Sequence, residues 1–127
     1  MPDLIGLTAL GSLSIIECNK LKTLPRGLGK LGALTQLKLQ GLPELQEMPD
    51  LIGLAALGSL TIAYCNKLKT LPRGLGKLGA LKQLTLWGLD ELQEMPDLIG
   101  LTALGSLTIG YCNKLKTLPR GGNVEMG

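Results

Sequence analysis

The chain contains no histidine and no phenylalanine, and aromatic residues make up only 2% of its 127 residues. Without histidine, the side chain that most often carries general acid–base catalysis is missing. The remaining reactive groups recur at equivalent positions of a repeat, so they do not converge on one pocket. We therefore predict a protein that is not an enzyme and has no cofactor and no metal site.

The chain also lacks a large excess of acidic or basic residues, and it lacks long apolar runs. Thirteen basic and ten acidic residues leave a net charge of +3, and because the two signs alternate we predict no nucleic-acid partner. No apolar run approaches the roughly 18–20 residues that span a bilayer, which predicts no membrane partner. The N-terminal sequence also lacks the basic and apolar regions of a signal peptide.

Cysteine occurs only three times, at 47-residue intervals: Cys18, Cys65 and Cys112. An odd number without close partners argues against a disulfide framework. This usage favours the reducing cytoplasm. Equivalent cysteines would lie two coils apart, beyond the reach of a disulfide.

A 47-residue repeat dominates the chain. Residues 1–47 recur almost unchanged at 48–94, and a third copy begins at 95 and ends near 120. Each copy divides into a coil of 24 residues with the pattern LxxLxIxxCxxLxxL and a coil of 23 residues with the pattern LxxLxLxxLxxLxxM. A fixed period of this length is typical of a solenoid.

The pattern resembles the leucine-rich-repeat family, and LPxxLGxLxxL is similar to its intracellular plant-type repeats. The resemblance implies an α/β solenoid, a right-handed curved stack of about five coils. It places a parallel β-sheet on the concave face and short helical or 3-10 turns on the convex face. It also places the cysteines inward, at the family's Asn or Cys position. We predict a solenoid over 1–120 (coil pairs 1–47, 48–94 and 95–120), a flexible tail over 121–127, and strands near 12–16, 36–40, 59–63, 83–87 and 106–110.

Two columns of charge could explain why the period is two coils. One reads Asp3, Arg26, Asp50, Arg73, Asp97 and Arg120; the other reads Lys20, Glu44, Lys67, Glu91 and Lys114. Stacked coils would then bring opposite charges together, whereas a one-coil repeat would stack like charges. Each exposed pair contributes only about 0–1 kcal/mol, so selection of the register is the favoured benefit. An ancestor with two unlike coils is the alternative.

The differences between the first two copies concentrate on one face. Five of the eight differing columns fall on the predicted outward strand positions, whereas exposed convex residues such as Lys20, Lys22, Arg26, Lys30 and Glu47 do not differ. The only aromatic residues lie there too, and such residues are enriched at binding hot spots. The candidate protein-binding residues are Tyr64, Trp87, Tyr111, Thr61, Thr85, Thr108, Gln83, Lys82, Lys38 and Glu17.

Several alternatives stay open. The tyrosines could instead pack along the sheet and stiffen it, or make contacts between copies of the chain. The concave face predicts a non-catalytic module that binds a protein or peptide. Near-identity of the copies favours instead a scaffold without an evolved ligand, either designed or recently duplicated.

The ends lack the polar caps that solenoids need. A fragment of a longer array, a designed repeat and self-association through the ends would each explain this. Head-to-tail stacking would set Lys114 against Lys20, so a symmetric end-to-end homodimer is the favoured form of self-association.

Overall fold

The protein is a β-solenoid with one parallel sheet. The computed structural model describes residues 9–24, 27–72, 74–95, 98–115 and 124–126. The strands stack in chain order, and each pairs in parallel with the next. They are β1 (Ser12–Ile16), β2 (Gln36–Gln40), β3 (Ser59–Ala63), β4 (Gln83–Trp87), β5 (Ser106–Gly110) and β6 (Val124–Met126).

The five strands predicted from the repeat are confirmed at their bounds. Their second and fourth residues are leucine or isoleucine, and alternate residues of a strand point to opposite faces. In β3 these residues, Leu60 and Ile62, are fully buried, whereas the alternate residues Ser59 and Thr61 are partly exposed. The outward residues of the strands, which are the first, third and fifth of each, form what we call the sheet surface.

The core is a stack of aliphatic side chains. Leucines from the strands, from the loops after them and from the returning arms are buried together in one cluster. The described residues include no buried polar or charged side chain. Burial is complete at β3 but incomplete at the first coil, where Leu13 and Cys18 are only partly buried. The first coil has a described neighbour on one side only, which accounts for the difference.

The residue after each of the first five strands has a positive φ. In the first four of these the backbone N–H continues the ladder; the N–H of Tyr64, for example, donates to the carbonyl of Trp87 at 2.8 Å. Left-handed backbone is easy for glycine and unfavourable for other residues. Glycine nevertheless occupies only alternate coils: Glu17 (57°), Gly41 (69°), Tyr64 (54°), Gly88 (67°) and Tyr111 (51°).

Each of these glycines lies beneath a side chain from the preceding coil. A Cβ added to Gly41 would come within 2.7 Å of the Glu17 carboxylate carbon, and one added to Gly88 within 2.7 Å of the Tyr64 ring. A large side chain in one coil therefore requires glycine in the next. This alternation gives the 47-residue period a steric basis in addition to charge.

The returning arms differ between the two kinds of coil. The 24-residue coils carry 3-10 helices at Leu28–Lys30 and Leu75–Lys77, each preceded by a left-handed glycine. The arms of the 23-residue coils form single turns such as Leu51–Leu54, closed by one backbone hydrogen bond of 3.0 Å. Neighbouring arms pack closely, because a Cβ on Gly53 would overlap the carbonyl oxygen of Gly29.

One predicted charge column forms separate ion pairs. Lys67 lies 3.0 Å from Glu44, and Lys114 lies 2.9 Å from Glu91. These pairs are partly exposed and contribute roughly 0–1 kcal/mol each. Of the other column only Asp50 is described; its Oδ1 accepts a hydrogen bond of 2.9 Å from the N–H of Ile52. The other members, Asp3, Arg26, Arg73, Asp97 and Arg120, lie outside the described residues.

The described part of the segment 121–127, for which we predict a flexible tail, is a short strand. Val124–Met126 form β6, which pairs in parallel with β5 from Leu107↔Val124 to Ile109↔Met126. Without β6 the backbone N–H and C=O groups at the outer edge of β5 would lack partners in the sheet, and β6 provides them. The predicted boundary near residue 120 lies outside the described residues.

Candidate functional site

The described part of the chain offers little for metal binding. It contains no group of three or more histidine, cysteine, aspartate or glutamate residues that could hold a metal ion. It also contains no helix long and apolar enough to cross a membrane. The features that remain are the sheet surface, shallow grooves at the strand ends and the three thiols.

The sheet surface of β3–β5 carries a row of three threonines. The strand register places Thr61 beside Thr85 and Thr85 beside Thr108, and all three are partly exposed. A second row contains Gln83 between Ser59 and Ser106. None of the outward residues of these three strands is charged. The sequence-predicted threonines and Gln83 therefore share one neutral, hydrogen-bonding surface.

Trp87 lies at the end of β4, between two small residues. The register sets it between Ala63 and Gly110, and a Cβ on Gly110 would overlap its ring. Its ring centroid lies 5.1 Å from that of Tyr111, with the planes inclined by 76°. Edge-to-face pairs of this kind contribute about 0.5–1.5 kcal/mol beyond area burial. Trp87 is thus held in place by its own neighbours.

The two tyrosines flank Trp87 and are more exposed than it is. Tyr64 is 48% exposed and Tyr111 is 60% exposed, although Tyr64 lies against Gly88 and Tyr111 against Trp87. These contacts are expected if the tyrosines pack along the sheet and stiffen it. They still leave about half of each ring open to a partner, and we call the three residues the aromatic cluster.

The remaining predicted residues lie apart from the aromatic cluster. Lys82 and Gln83, at the start of β4, line an open groove of about 450 Å³, four strand residues away from Trp87. Lys38 lies on β2, where the register pairs it with Thr61. Glu17 lies in the first coil over Gly41. The structure thus brings the aromatic residues and threonines together, but not all ten candidates.

Another groove lies beside the loops after the strands. It encloses about 590 Å³ and is lined by residues of both charges: Gln46, Glu47, Asn66, Lys67, Lys69 and Glu91. A hydrogen bond from Lys114, together with its charge, holds the pKa of Glu91 below its ordinary value, and Lys69 adds to this. Because the charges that line the groove are mixed and partly paired, the groove favours neither an acidic nor a basic ligand.

The three cysteines turn toward the core, as predicted. Each thiol donates to the carbonyl two residues earlier: Cys18 to Ile16 at 3.7 Å, Cys65 to Ala63 at 3.6 Å and Cys112 to Gly110 at 3.5 Å. All three are free. Burial raises the pKa of Cys65 from 9.0 to about 11 and raises that of Cys112 as well. Such thiols are poor nucleophiles.

This raised pKa predicts a loss of stability in alkali. The unfolded chain releases the Cys65 proton near pH 9, whereas the folded chain keeps it until about pH 11. The free energy of unfolding should therefore fall as the pH rises from 9 to 11, by about 2 kcal/mol from this thiol. Urea unfolding at several pH values measures the fall, and Cys65→Ala should lack this component. Equal pH profiles for the two proteins would contradict the assignment.

Sequence reasoning identified the aromatic residues but missed the glycines that position them. Gly88 and Gly110 provide the space in which the rings of Tyr64 and Trp87 lie. The signal was present in the copies, because Gly110 replaces Ala63 in the coil that follows Trp87. It also missed a hydrogen bond of 2.9 Å from Asn66 to Asp90, which the first copy cannot form because Pro43 replaces the aspartate.

A scan against models of known protein families and a search of curated proteins found no match to this chain.

Proposed function

We propose that the protein is a non-catalytic interaction module that binds a protein or peptide on the sheet surface of β3–β5. The observation that carries the proposal is the aromatic cluster, whose tyrosines are 48% and 60% exposed beside Trp87. Tyrosine and tryptophan are the residues most enriched at interface hot spots. Because their own neighbours hold these rings, little ordering entropy would be lost on binding.

We further propose that the solenoid is of the leucine-rich-repeat type, with the sheet on a concave face of a right-handed stack. The agreement of the five repeat-derived strands with the structure supports this assignment, as do the 3-10 helices in the arms. The free thiols support a reducing compartment, for which we propose the cytoplasm.

A scaffold without an evolved ligand is the second candidate. It is favoured by the near-identity of the copies, since only eight of 47 columns differ between the first two. Self-association through the ends, as a symmetric homodimer, belongs with this candidate. Sedimentation as a monomer at high concentration would exclude it.

Replacement of Trp87 tests the binding proposal. A random peptide library displayed on phage is selected against the protein, and the affinity of the best peptide is measured for Trp87→Gln. Glutamine occupies the equivalent position of the first copy, at residue 40, so the strand should tolerate it. We expect affinity to fall about 10- to 30-fold, as for a hot-spot residue. Lys77→Ala, on an exposed arm, is the control and should change affinity less than about twofold.

Two results would contradict this proposal. Failure to select any peptide would favour the ligand-free scaffold. Equal affinity of the selected peptide for the wild type and Trp87→Gln would place binding on another surface.

A further inference from the structure

We propose that the partner presents a neutral, proline-rich segment in the polyproline II conformation, which lies across β3, β4 and β5 on the aromatic cluster. This inference rests on the proposed function and names its class of ligand. Three observations carry it: the pairing of the strands, the spacing of the tyrosines and the neutrality of the surface.

The pairing of the strands excludes a ligand that adds to the sheet at this site. β3, β4 and β5 are each hydrogen-bonded to a strand on both sides. A peptide that binds by β-augmentation needs an exposed sheet edge. The ligand must therefore lie on the face of the sheet and contact side chains.

The residues on this face also argue against a helical ligand. An amphipathic helix binds in a groove of apolar side chains. Here the outward residues of β3 and β5 are Ser59, Thr61 and Ala63, and Ser106, Thr108 and Gly110. The apolar surface is confined to the aromatic cluster at one end of the strands. Aromatic rings beside hydrogen-bonding groups are the surface that polyproline II segments recognise.

The spacing of the tyrosines matches the polyproline II helix. Tyr64 and Tyr111 follow β3 and β5 at equivalent positions, two strand spacings apart. Two spacings amount to about 9–10 Å. A polyproline II helix has three residues per turn and rises about 9.3 Å per turn. The backbone positions of the two tyrosines, with β4 between them, therefore match the spacing of prolines at positions i and i+3.

The polar groups complement such a ligand. A polyproline II segment makes no internal hydrogen bonds, so its carbonyl groups need external donors. The hydroxyl groups of Thr85 and Thr108, in the middle of β4 and β5, and the indole N–H of Trp87, at the end of β4, are groups that can donate. The outward residues of β3–β5 carry no charge. They match a neutral segment, although charged residues such as Lys38 beside Thr61 and Lys82 before Gln83 border them.

A fluorescence titration tests this ligand class. Trp87 is the only tryptophan in the chain, so its emission reports on the site alone. The probe is an acetylated, amidated peptide of about eight prolines, and a glycine–serine peptide of equal length is the control. We expect the proline peptide to shift the emission saturably and the control peptide to leave it unchanged.

Tyr64→Gly and Glu17→Gly form a matched pair of variants for this titration. Both positions have a positive φ and follow a strand, so glycine removes a side chain without adding backbone strain. Tyr64→Gly should weaken binding of the proline peptide at least fivefold, whereas Glu17→Gly in the first coil should not change it. Thermal unfolding checks that both variants are folded at the temperature of the titration.

Each other outcome overturns a definite part of this inference. Absence of a proline response, with selected non-proline peptides still binding through Trp87, would overturn the ligand class and leave the proposed function standing. Failure of both kinds of peptide would overturn both. Proline binding that Tyr64→Gly leaves unchanged, or that Glu17→Gly weakens equally, would overturn the placement across the aromatic cluster.

Discussion

Gly88→Ala is expected to lower the free energy of unfolding by about 2–4 kcal/mol. Gly88 has a φ of 67°, and a left-handed backbone costs a non-glycine residue about 1–2 kcal/mol. The added Cβ would also lie 2.7 Å from the ring of Tyr64, and overpacking of this kind costs about 1–3 kcal/mol. Urea unfolding of the wild type and the variant measures the difference.

Gly79→Ala is the matched control, because nothing lies within 4 Å of a Cβ added there. It should stabilise the protein by about 0.4–1 kcal/mol, since alanine restricts the unfolded chain. In a Tyr64→Gly background the steric part of the Gly88→Ala penalty should disappear. The double-mutant cycle should then give a coupling energy of about 1–3 kcal/mol. Additive effects would show that the ring and the glycine do not interlock.

Leu60→Ala is expected to lower the free energy of unfolding by about 3–5 kcal/mol. Leu60 is fully buried in β3, with coils stacked on both sides. Its truncation removes transfer free energy and leaves a cavity that the neighbouring leucines cannot fill. Urea unfolding of the wild type and Leu60→Ala measures this difference in the free energy of unfolding.

The repeat supplies the control for this prediction. Leu13 occupies the same position of the first coil but is only partly buried. Leu13→Ala should therefore cost about 1–2 kcal/mol, because water can enter the space that the side chain leaves. Equal losses for the two variants would mean that the first coil is packed as fully as the third.

The strands were predictable because the same pattern of leucine and isoleucine recurs in five successive coils. Leucine or isoleucine at the second and fourth strand positions recurs in every coil, and the bounds from Ser12–Ile16 to Ser106–Gly110 follow from it. The inward cysteines followed from the resemblance to the family. The position of Trp87 at the end of β4, and of Tyr64 and Tyr111 after β3 and β5, followed from the same alignment.

Other features needed tertiary contacts that a repeat pattern does not contain. Glutamate and tyrosine are poor choices for left-handed backbone, so the positive φ of Glu17, Tyr64 and Tyr111 was not predictable from residue type. The contact of Trp87 with Tyr111 depends on Gly110, because a side chain at that position would overlap the ring of Trp87. Strand β6 lies outside the repeat, and only the open edge of β5 gives it a partner.

The steric alternation also changes the explanation of the doubled period. Charge pairs such as Glu44–Lys67 are partly exposed and contribute little. A tyrosine in every coil would instead place each ring against the Cβ of the next residue, which Gly41 and Gly88 avoid. The 47-residue unit is therefore the smallest one that can present large side chains after alternate strands.

A map of backbone amide chemical shifts, recorded with and without the peptide selected from the library, tests the central claim most directly. The claim is that the face on which the copies differ is the face that binds. The account predicts that the largest shifts fall on β3, β4, β5, Tyr64 and Tyr111. Shifts confined to the arms, around Leu28–Lys30 and Leu75–Lys77, would contradict it.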